Sequence, residues 1–457
     1  MTTKRKSIFT MITSALLSTL LCFSMTLPVF AEPLPPGVVG AASEDKPANA
    51  AITKKLIMPA GTPTPTVTFT FTFEKFSFNN VEADKTKLPN IGTATADPLK
   101  SQTTLSFKDE TGTENGGTKT IMKETPGLLG SVNWPNGGVY TYKVTEEATG
   151  FTANPGTNGK LDEMIFSKAV YELSIWVDNR ADGKGLYVKY IAAKLVTAEK
   201  QGESVGHKVD PTPGGNSTTG TGFSDMVFTN SYLKNNGGVN PTDTVLAVSK
   251  TVAGNGSNQT DKYFKFDVTI KNPETVSGTK TYKAYVLEGT NVVSPLTPNK
   301  ISGGTVKPDG NGKDYIEFAV TDSTAKILTI ELKHGQKLSF IDLPVGAGFT
   351  AKEYAMADYT PGYALTAYKA SEKKVASENI TSQTMGIELT APSTAFGTAY
   401  VSADNSSKAD FTNTFKLIAP TGIGVDDLPY IALIAVTLIA LTGYIGFRVR
   451  KGAKGKA

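Results

Sequence analysis

Apolar and polar residues alternate along much of the chain, which is the pattern of β-strands with one buried face. Residues 68–73 read Thr-Phe-Thr-Phe-Thr-Phe, and residues 139–145 and 172–177 alternate with the same period of two. Turn-forming stretches such as Pro-Asn-Gly-Gly at 135–138 separate these runs. Because no long amphipathic helical pattern precedes the C-terminal segment, the sequence predicts an all-β fold of immunoglobulin-like β-sandwiches.

The N-terminal residues 1–31 have the pattern of a signal peptide. The basic residues 4–6 precede an apolar run at about 8–23, and Val-Phe-Ala at 29–31 supplies the small residues of a cleavage site. An N-terminal membrane anchor is the alternative, but the apolar run is short for a bilayer core. We therefore expect an exported chain that begins at residue 32.

The C-terminal segment contains an uncharged stretch, residues 428–447, whose length matches the hydrocarbon core of a bilayer. Five basic residues follow it, which predicts a cytoplasmic tail. They are Arg448, Arg450, Lys451, Lys454 and Lys456. A single-span membrane anchor would have the same pattern up to this point.

A pentapeptide just before this stretch resembles the sorting signal of sortases. It consists of Ile418, Ala419, Pro420, Thr421 and Gly422. It differs from the common L-P-x-T-G form and is closer to the x-V-P-T-G variant of some streptococcal-type pilins, with alanine in place of valine. The resemblance implies cleavage between Thr421 and Gly422, loss of the apolar stretch, and attachment at the surface or cell wall of a Gram-positive bacterium.

Charge and composition exclude several functional classes. The formal charge is +4, but eight of the 46 basic residues and only two of the 42 acidic ones lie in the two terminal segments. The mature chain is therefore slightly acidic, and we expect no nucleic-acid partner. Cys22 lies in the signal peptide, and His207 and His334 are far apart, so we expect no disulfide, metal or cofactor. Phosphate-binding loops and nucleophile elbows are absent from the sequence, so we expect no enzyme.

Segments rich in Pro, Gly and Asn divide the chain. Residues 32–50 are predicted to be a flexible lead, and residues 235–241 (Asn-Asn-Gly-Gly-Val-Asn-Pro) a linker. They delimit two predicted domains, 51–234 and 242–416, and residues 417–457 form the sorting segment.

The two predicted domains share a rough internal repeat. Each opens with a lysine-bearing strand, continues with an aromatic alternating strand and closes with Phe-Thr-Asn. These stretches are 52–57, 69–73 and 228–230 in the first domain, and 248–253, 263–268 and 411–413 in the second.

Strand alternation places one Lys, one Glu and one Asn of each domain on otherwise apolar faces. They are Lys54, Glu146 and Asn230 in the first domain, and Lys250, Glu353 and Asn413 in the second. Buried charges are costly unless they are paired. Fraying strand ends that reach water would also explain any one of them, and Lys75 likewise follows an apolar face. The repetition of the same triple in both domains favours a shared role.

These three residue types fit one self-directed reaction. Burial lowers the pKa of a Lys amine and so makes it nucleophilic, while it keeps a neighbouring Glu protonated. That Glu can hydrogen-bond the Asn carboxamide and shuttle protons. Attack by the amine releases ammonia and leaves a Lys–Asn isopeptide bond, formed once in each domain.

Both domains resemble the isopeptide-bonded domains of Gram-positive major pilins of the streptococcal shaft type. The resemblance implies that Lys54 bonds to Asn230 with Glu146 as catalyst, that Lys250 bonds to Asn413 with Glu353, and that each bond ties the first strand to the last. The matching stretches are ITK at 52–54, GVYTYKVTEE at 138–147, VFTN at 227–230, VSKTVAG at 248–254, LPVGAGFTAKE at 343–353 and DFTN at 410–413.

The resemblance further implies the backbone subunit of a pilus that a class C-type sortase polymerises from identical subunits. An anchoring subunit would link the polymer to peptidoglycan, and minor pilins could join it. The family places the acceptor lysine near the last strands of the first domain, where Lys208 lies nearest and Lys194 and Lys200 are rivals. The alternative function is a monomeric wall-anchored adhesin, or a tip or base pilin that binds a host ligand.

Overall fold

A computed structural model of the chain describes residues 42–154, 159–198, 204–215, 222–254, 259–415 and 428–453. The predicted signal peptide (1–31), Lys200 and the sorting pentapeptide (418–422) lie outside the described residues. The described residues confirm the predicted all-β fold, since strands dominate both domains and the long α-helix lies at the C-terminal end.

The first domain contains twelve described strands in two sheets. Its strands are β1 (Thr53–Pro59), β2 (Val67–Phe78), β3 (Thr93–Ala94), β4 (Lys100–Phe107), β5 (Thr113–Asn115), β6 (Thr118–Glu124), β7 (Gly138–Glu146), β8 (Glu163–Ile165), β9 (Val170–Asn179), β10 (Leu186–Thr197), β11 (Lys208–Val209) and β12 (Val227–Leu233). One sheet has the order β5-β6-β1-β12-β8 and the other the order β11-β10-β9-β7-β2-β4-β3.

Aromatic side chains of β2 fill the core between the two sheets of the first domain. The alternation in this strand turns Phe69, Phe71 and Phe73 inward, and all three are fully buried. Phe71 packs against Phe228 of β12, with ring centroids 5.2 Å apart. The domain is therefore a β-sandwich whose core lies directly under its first and last strands.

The second domain contains fourteen described strands in one continuous sheet that folds over a main core, and a smaller apolar cluster lies beside it. Its strands are β13 (Leu246–Gly254), β14 (Phe264–Lys271), β15 (Thr279–Glu288), β16 (Asn291–Val292), β17 (Thr305–Pro308), β18 (Asp314–Thr321), β19 (Lys326–Leu332), β20 (Gln336–Phe340), β21 (Gly348–Glu353), β22 (Tyr359–Lys369), β23 (Lys374–Thr381), β24 (Leu389–Ala391), β25 (Ala399–Tyr400) and β26 (Ser407–Phe415). The main path runs β17-β18-β15-β20-β13-β26-β22-β25-β21-β14-β19. The described residues of the two domains also contain two short 3₁₀ helices, Glu82–Lys87 in the first and Thr297–Asn299 in the second.

In both domains the first and last strands are parallel neighbours. Strand β1 pairs with β12 in the first domain, and β13 pairs with β26 in the second. The chain therefore enters and leaves each domain through adjacent parallel strands. A pulling force applied to the two ends of a domain would act on this strand pair.

The structure differs from the predicted flexible lead at residues 42–50, which lie against the first domain. The backbone N–H of Ala48 donates to the Val188 carbonyl at 2.9 Å, and the Asn49 side chain accepts from the Leu129 N–H at 2.8 Å. Ala50 is fully buried. These small side chains let residues 42–50 approach the sheet closely.

The predicted linker contacts both domains. The Asn235 N–H donates to Asp162 Oδ1 of the first domain at 2.9 Å, and the Gly238 N–H donates to the Ile341 carbonyl of the second domain at 3.0 Å. A further contact joins the domains away from the linker, where the Tyr368 hydroxyl donates to Glu114 at 2.9 Å. The junction is thus hydrogen-bonded on more than one side.

The C-terminal helix α1 (Leu428–Ala453) includes 23 residues, Pro429–Lys451, that are long and apolar enough to cross a membrane. It is the one such helix among the described residues. Its position agrees with the predicted apolar stretch at 428–447, and the helix continues into the basic tail.

Candidate cross-link sites

The first candidate site lies between the two sheets of the first domain. Strands β1 and β12 are in parallel register, so Lys54 lies beside Phe228 and Leu56 beside Asn230. Glu146 is the last residue of β7 in the facing sheet, where it pairs with Phe71. The strand order therefore brings together three residues that are far apart in the sequence.

These three side chains form a closed polar cluster in the apolar core. Glu146 Oε2 lies 2.5 Å from Lys54 Nζ, and Asn230 Nδ2 donates to Glu146 Oε1 at 2.7 Å. The side chains of Lys54 and Glu146 are fully buried, and Lys54 Nζ lies 4.5 Å from the centroid of the Phe69 ring. One carboxyl group thus contacts both the amine and the carboxamide nitrogen.

The second domain repeats the cluster with one difference. Lys250 Nζ lies 2.6 Å from Glu353 Oε1, and Asn413 Nδ2 donates to the same oxygen at 3.0 Å. Lys250 Nζ lies 4.2 Å from the centroid of the Phe264 ring. All three polar side chains are buried. In this domain a single carboxyl oxygen serves both partners.

The surrounding aromatic residues repeat as well. Glu353 ends β21 and pairs with Phe266, whose ring packs against Phe411 of β26 at 5.2 Å. In the first domain the corresponding pair is Phe71 and Phe228. The internal sequence repeat therefore corresponds to a repeated set of side-chain contacts. The Lys, Glu and Asn residues occupy equivalent positions in both sandwiches.

Burial shifts the pKa values of the second pair toward their neutral forms. Loss of hydration lowers the pKa of Lys250 to about 8, although the negative charge of Glu353 opposes this shift. Burial also raises the pKa of Glu353 above its ordinary value, against the opposing effect of Lys250 and Asn413. A neutral amine beside a protonated carboxyl group is the state that nucleophilic attack on a carboxamide requires.

Asn413→Ala is expected to give the second domain a stability that rises with pH, because without Asn413 the Lys250 amine has no carboxamide to react with and stays titratable. Between pH 8 and about 10, the unfolded chain binds more protons than the folded chain, so unfolding becomes harder as the pH rises. The gain should be on the order of 3 kcal/mol across this window. Urea unfolding followed by circular dichroism measures it. The unsubstituted chain is the control, because a bond between Lys250 and Asn413 would remove the titrating amine, and equal pH profiles in the two proteins would contradict the prediction.

The neighbours of the clustered residues point away from the core, as the alternation predicts. Glu147 accepts from the Thr72 hydroxyl at 2.7 Å and from Gln102 Nε2 at 2.6 Å on the outer side of the sheet. Lys55 pairs with Thr229 in the register of β1 and β12 and is partly exposed. Each thus provides a control position one residue from the site.

The candidate acceptor lysines lie at the edge of the seven-stranded sheet. Lys208 begins the short edge strand β11 and is exposed. It lies directly opposite Lys194 of β10, which is also exposed. The structure therefore places two of the three candidates side by side on one accessible edge, away from the buried clusters.

A contact that strand alternation could not indicate completes the first cluster. The backbone N–H of Ser167 donates to Asn230 Oδ1 at 2.7 Å. Ser167 lies in the corner between β8 and β9, where the sequence shows no period-two pattern. A backbone donor in a corner has no signal in residue type, so only the folded chain reveals it.

Comparison with known proteins gives one family match and a set of similar structures. A family model described as a domain of unknown function (DUF7601) matches residues 244–415, which is the second domain. No curated protein matches the chain.

The similar solved structures include pilus proteins. The major pilin from Streptococcus pyogenes is 18% identical, with 81% of this chain and 98% of that chain covered and a TM-score of 0.27. The major pilin protein T3.2 from S. pyogenes serotype GAS13637 is 17% identical, with 83% of this chain and 99% of that chain covered and a TM-score of 0.27. A pilus-presented adhesin (Cpa) is 17% identical, with 54% of this chain and 35% of that chain covered and a TM-score of 0.20.

Proposed function

We propose that each domain forms one intramolecular isopeptide bond, and that the chain is the backbone subunit of a sortase-assembled pilus. The observation that carries the proposal is the duplicated Lys–Glu–Asn cluster, buried in both domains, with the Lys on the first strand and the Asn on the last. Lys54 would bond to Asn230 and Lys250 to Asn413, with Glu146 and Glu353 as the respective proton carriers.

The reaction balances within each cluster. The neutral lysine Nζ attacks the Asn Cγ, a C–N bond forms, and the carboxamide Nδ2 departs as ammonia. The Glu carboxyl group contacts both nitrogens, so it can accept the proton from Nζ and deliver one to Nδ2. The site consumes its own residues, so the chain acts once on itself and is no turnover enzyme.

The position of the two bonds suits a chain under tension. Each bond would join the first strand of a domain to the last, and these strands are the parallel neighbours β1 and β12, or β13 and β26. A pull on the chain ends would then be carried by a covalent bond between the first and the last strand of each domain. Without the tie, the same pull would separate hydrogen bonds between parallel strands.

Polymerisation would use the C-terminal segment of one subunit and an exposed lysine of the next. The pentapeptide 418–422 precedes the apolar helix Pro429–Lys451 and a basic tail, which is the arrangement of a sorting signal. A class C-type sortase would hold Thr421 as an acyl group, and a lysine of the next identical subunit would attack it. An anchoring subunit would connect the polymer to cell-wall peptidoglycan, with minor pilins as further partners.

Intact mass and a surface extract test the two parts of this proposal separately. The mature chain from residue 32 to residue 421 is expected to weigh two ammonia molecules less than its sequence, and Glu146→Gln and Glu353→Gln should each restore one. Boiling the surface extract in detergent is expected to leave a ladder of covalent multimers. One discrete band would instead identify a wall-anchored adhesin, and an undiminished mass would refute the isopeptide bonds.

A further inference from the structure

The oxygen of the Asn230 carboxamide is held by a backbone N–H group. Ser167 N donates to Asn230 Oδ1 at 2.7 Å, on the side of the carboxamide opposite Glu146, which accepts from Nδ2. The Ser167 hydroxyl accepts from the Ala169 N–H at 3.2 Å, which is at the long end of the range for such a bond. Ser167 is buried, so this donor acts in an apolar environment.

The second domain does not provide this donor. Asn413 Oδ1 is buried and has no hydrogen-bond partner among the residues that the structure describes. Its neighbour across the sheet is Pro361 of β22, and proline carries no N–H. The two clusters therefore differ at the atom where negative charge develops during attack.

Strand lengths explain the difference. The β8–β12 ladder ends at Ile165 and Ser231, one pair before Asn230, so the next backbone groups leave the sheet. Ser167 can then turn its N–H toward a side chain. In the second domain β22 stays paired with β26 on both sides of Asn413, and ladder N–H groups point along the sheet toward the neighbouring strand.

We infer that the Ser167 N–H is an oxyanion donor for the first isopeptide bond, and that the first domain forms its bond faster than the second. This inference rests on the proposed function. When Lys54 Nζ attacks Cγ of Asn230, the electron pair of the carbonyl moves onto Oδ1 and returns when Nδ2 leaves as ammonia. A preorganised donor at 2.7 Å stabilises that charge where water is excluded.

The two oxygens of the Glu146 carboxyl group have different partners, which supports this role of Ser167. Glu146 uses Oε2 for Lys54 and Oε1 for Asn230, so it carries the proton from the attacking to the leaving nitrogen. The oxygen of the carboxamide needs a different partner, and Ser167 provides it. In the second domain Glu353 Oε1 contacts both nitrogens, and Glu353 Oε2 is buried without a hydrogen-bond partner among the described residues.

Ser167→Pro and Ser167→Ala form the test pair, because the first removes the N–H and the second keeps it. The mature chain 32–421 is made by cell-free translation with a short isotopic pulse, quenched in denaturant and digested. Mass spectrometry then follows the two cross-linked peptides over time. Ser167→Pro is expected to slow the Lys54–Asn230 bond by about 10²–10³-fold. Ser167→Ala should leave its rate near that of the unsubstituted chain, and the Lys250–Asn413 bond should keep its rate in both variants.

Three readouts separate the possible failures. Trp134 and Trp176 are the two tryptophans of the chain and both lie in the first domain, so their fluorescence shows whether Ser167→Pro folds there. If Ser167→Pro does not fold, the rates of the two bonds are compared in the unsubstituted chain. The inference is overturned if the bond at Lys54 forms no faster than the bond at Lys250. Equal rates in folded Ser167→Pro and Ser167→Ala overturn it as well. If the unsubstituted chain forms no bond at Lys54, the proposed function itself fails.

Discussion

Lys54→Met is expected to lower the melting temperature of the first domain by about 10–20 °C, because the proposed Lys54–Asn230 bond could not form in this variant. The bond would close a loop that runs from residue 54 to residue 230. By the chain-entropy argument developed for disulfides, a loop of this length stabilises the folded state by roughly 5 kcal/mol. Methionine keeps the length and apolar contacts of the buried stem, so little else is lost.

The substitution also avoids leaving a charge unpaired in the core. Removing Glu146 would leave Lys54 buried without its carboxylate, which by itself destabilises a fold strongly. Removing Lys54 instead leaves Glu146 bound to Asn230 Nδ2, and a buried carboxyl group can take up a proton. The loss of stability in Lys54→Met therefore measures the bond more directly than a Glu146 variant would.

Lys55→Met is the matched control. It makes the same chemical change one residue along β1, on the other face of the strand and partly exposed. Tryptophan fluorescence follows thermal unfolding of the first domain alone, and intact mass reports the bond in the same sample. We expect the mass of Lys55→Met to show both bonds and its melting temperature to change little. If Lys54→Met had the same melting temperature as the unsubstituted chain, the bond would contribute nothing to stability.

Lys208→Ala is expected to abolish the covalent ladder and leave a single subunit band. In the proposed polymerisation the acceptor amine would have to reach the Thr421 acyl group on the sortase, which requires an exposed position on an accessible edge. Lys208 meets this condition on the edge strand β11. The effect should be all or none, because without a nucleophile the acyl group passes to no further subunit.

Lys194→Ala provides the closest control, since Lys194 lies opposite Lys208 in the same strand pair and is equally exposed. Detergent-boiled surface extracts of both variants are compared on one gel. The intact mass of each subunit should still show two missing ammonia molecules, which demonstrates that the fold is unchanged. A full ladder from Lys208→Ala would exclude this residue as acceptor, and loss of the ladder in Lys194→Ala would assign the role to its neighbour.

Much of the fold follows from the sequence because strand alternation is a local property. The runs at 68–73 and 172–177 are strands β2 and β9, with their apolar residues inside. The same local rule selected Lys54, Glu146 and Asn230 as inward-facing residues and set Lys55 and Glu147 on the outer faces. The domain limits and the bonds themselves stay predictions.

Contacts between distant segments could not be predicted in this way. The lead at 42–50 looked flexible by composition, yet Ala50 is buried because small residues fit tightly against the first domain. Pairing of β1 with β12 joins segments at opposite ends of the first domain, and no local pattern specifies such a partner.

By itself the sequence determined an all-β chain with two repeated triples on apolar strand faces, because the side-chain period of a strand is two. The tertiary structure decided that each triple meets at one carboxyl group, 2.5 Å from Lys54 and 2.6 Å from Lys250. It also decided that Asn230 has a backbone donor and that Asn413 has none among the described residues. The physical reason is that a backbone N–H is the same in every residue except proline, so its partner depends on where strands end and chains turn.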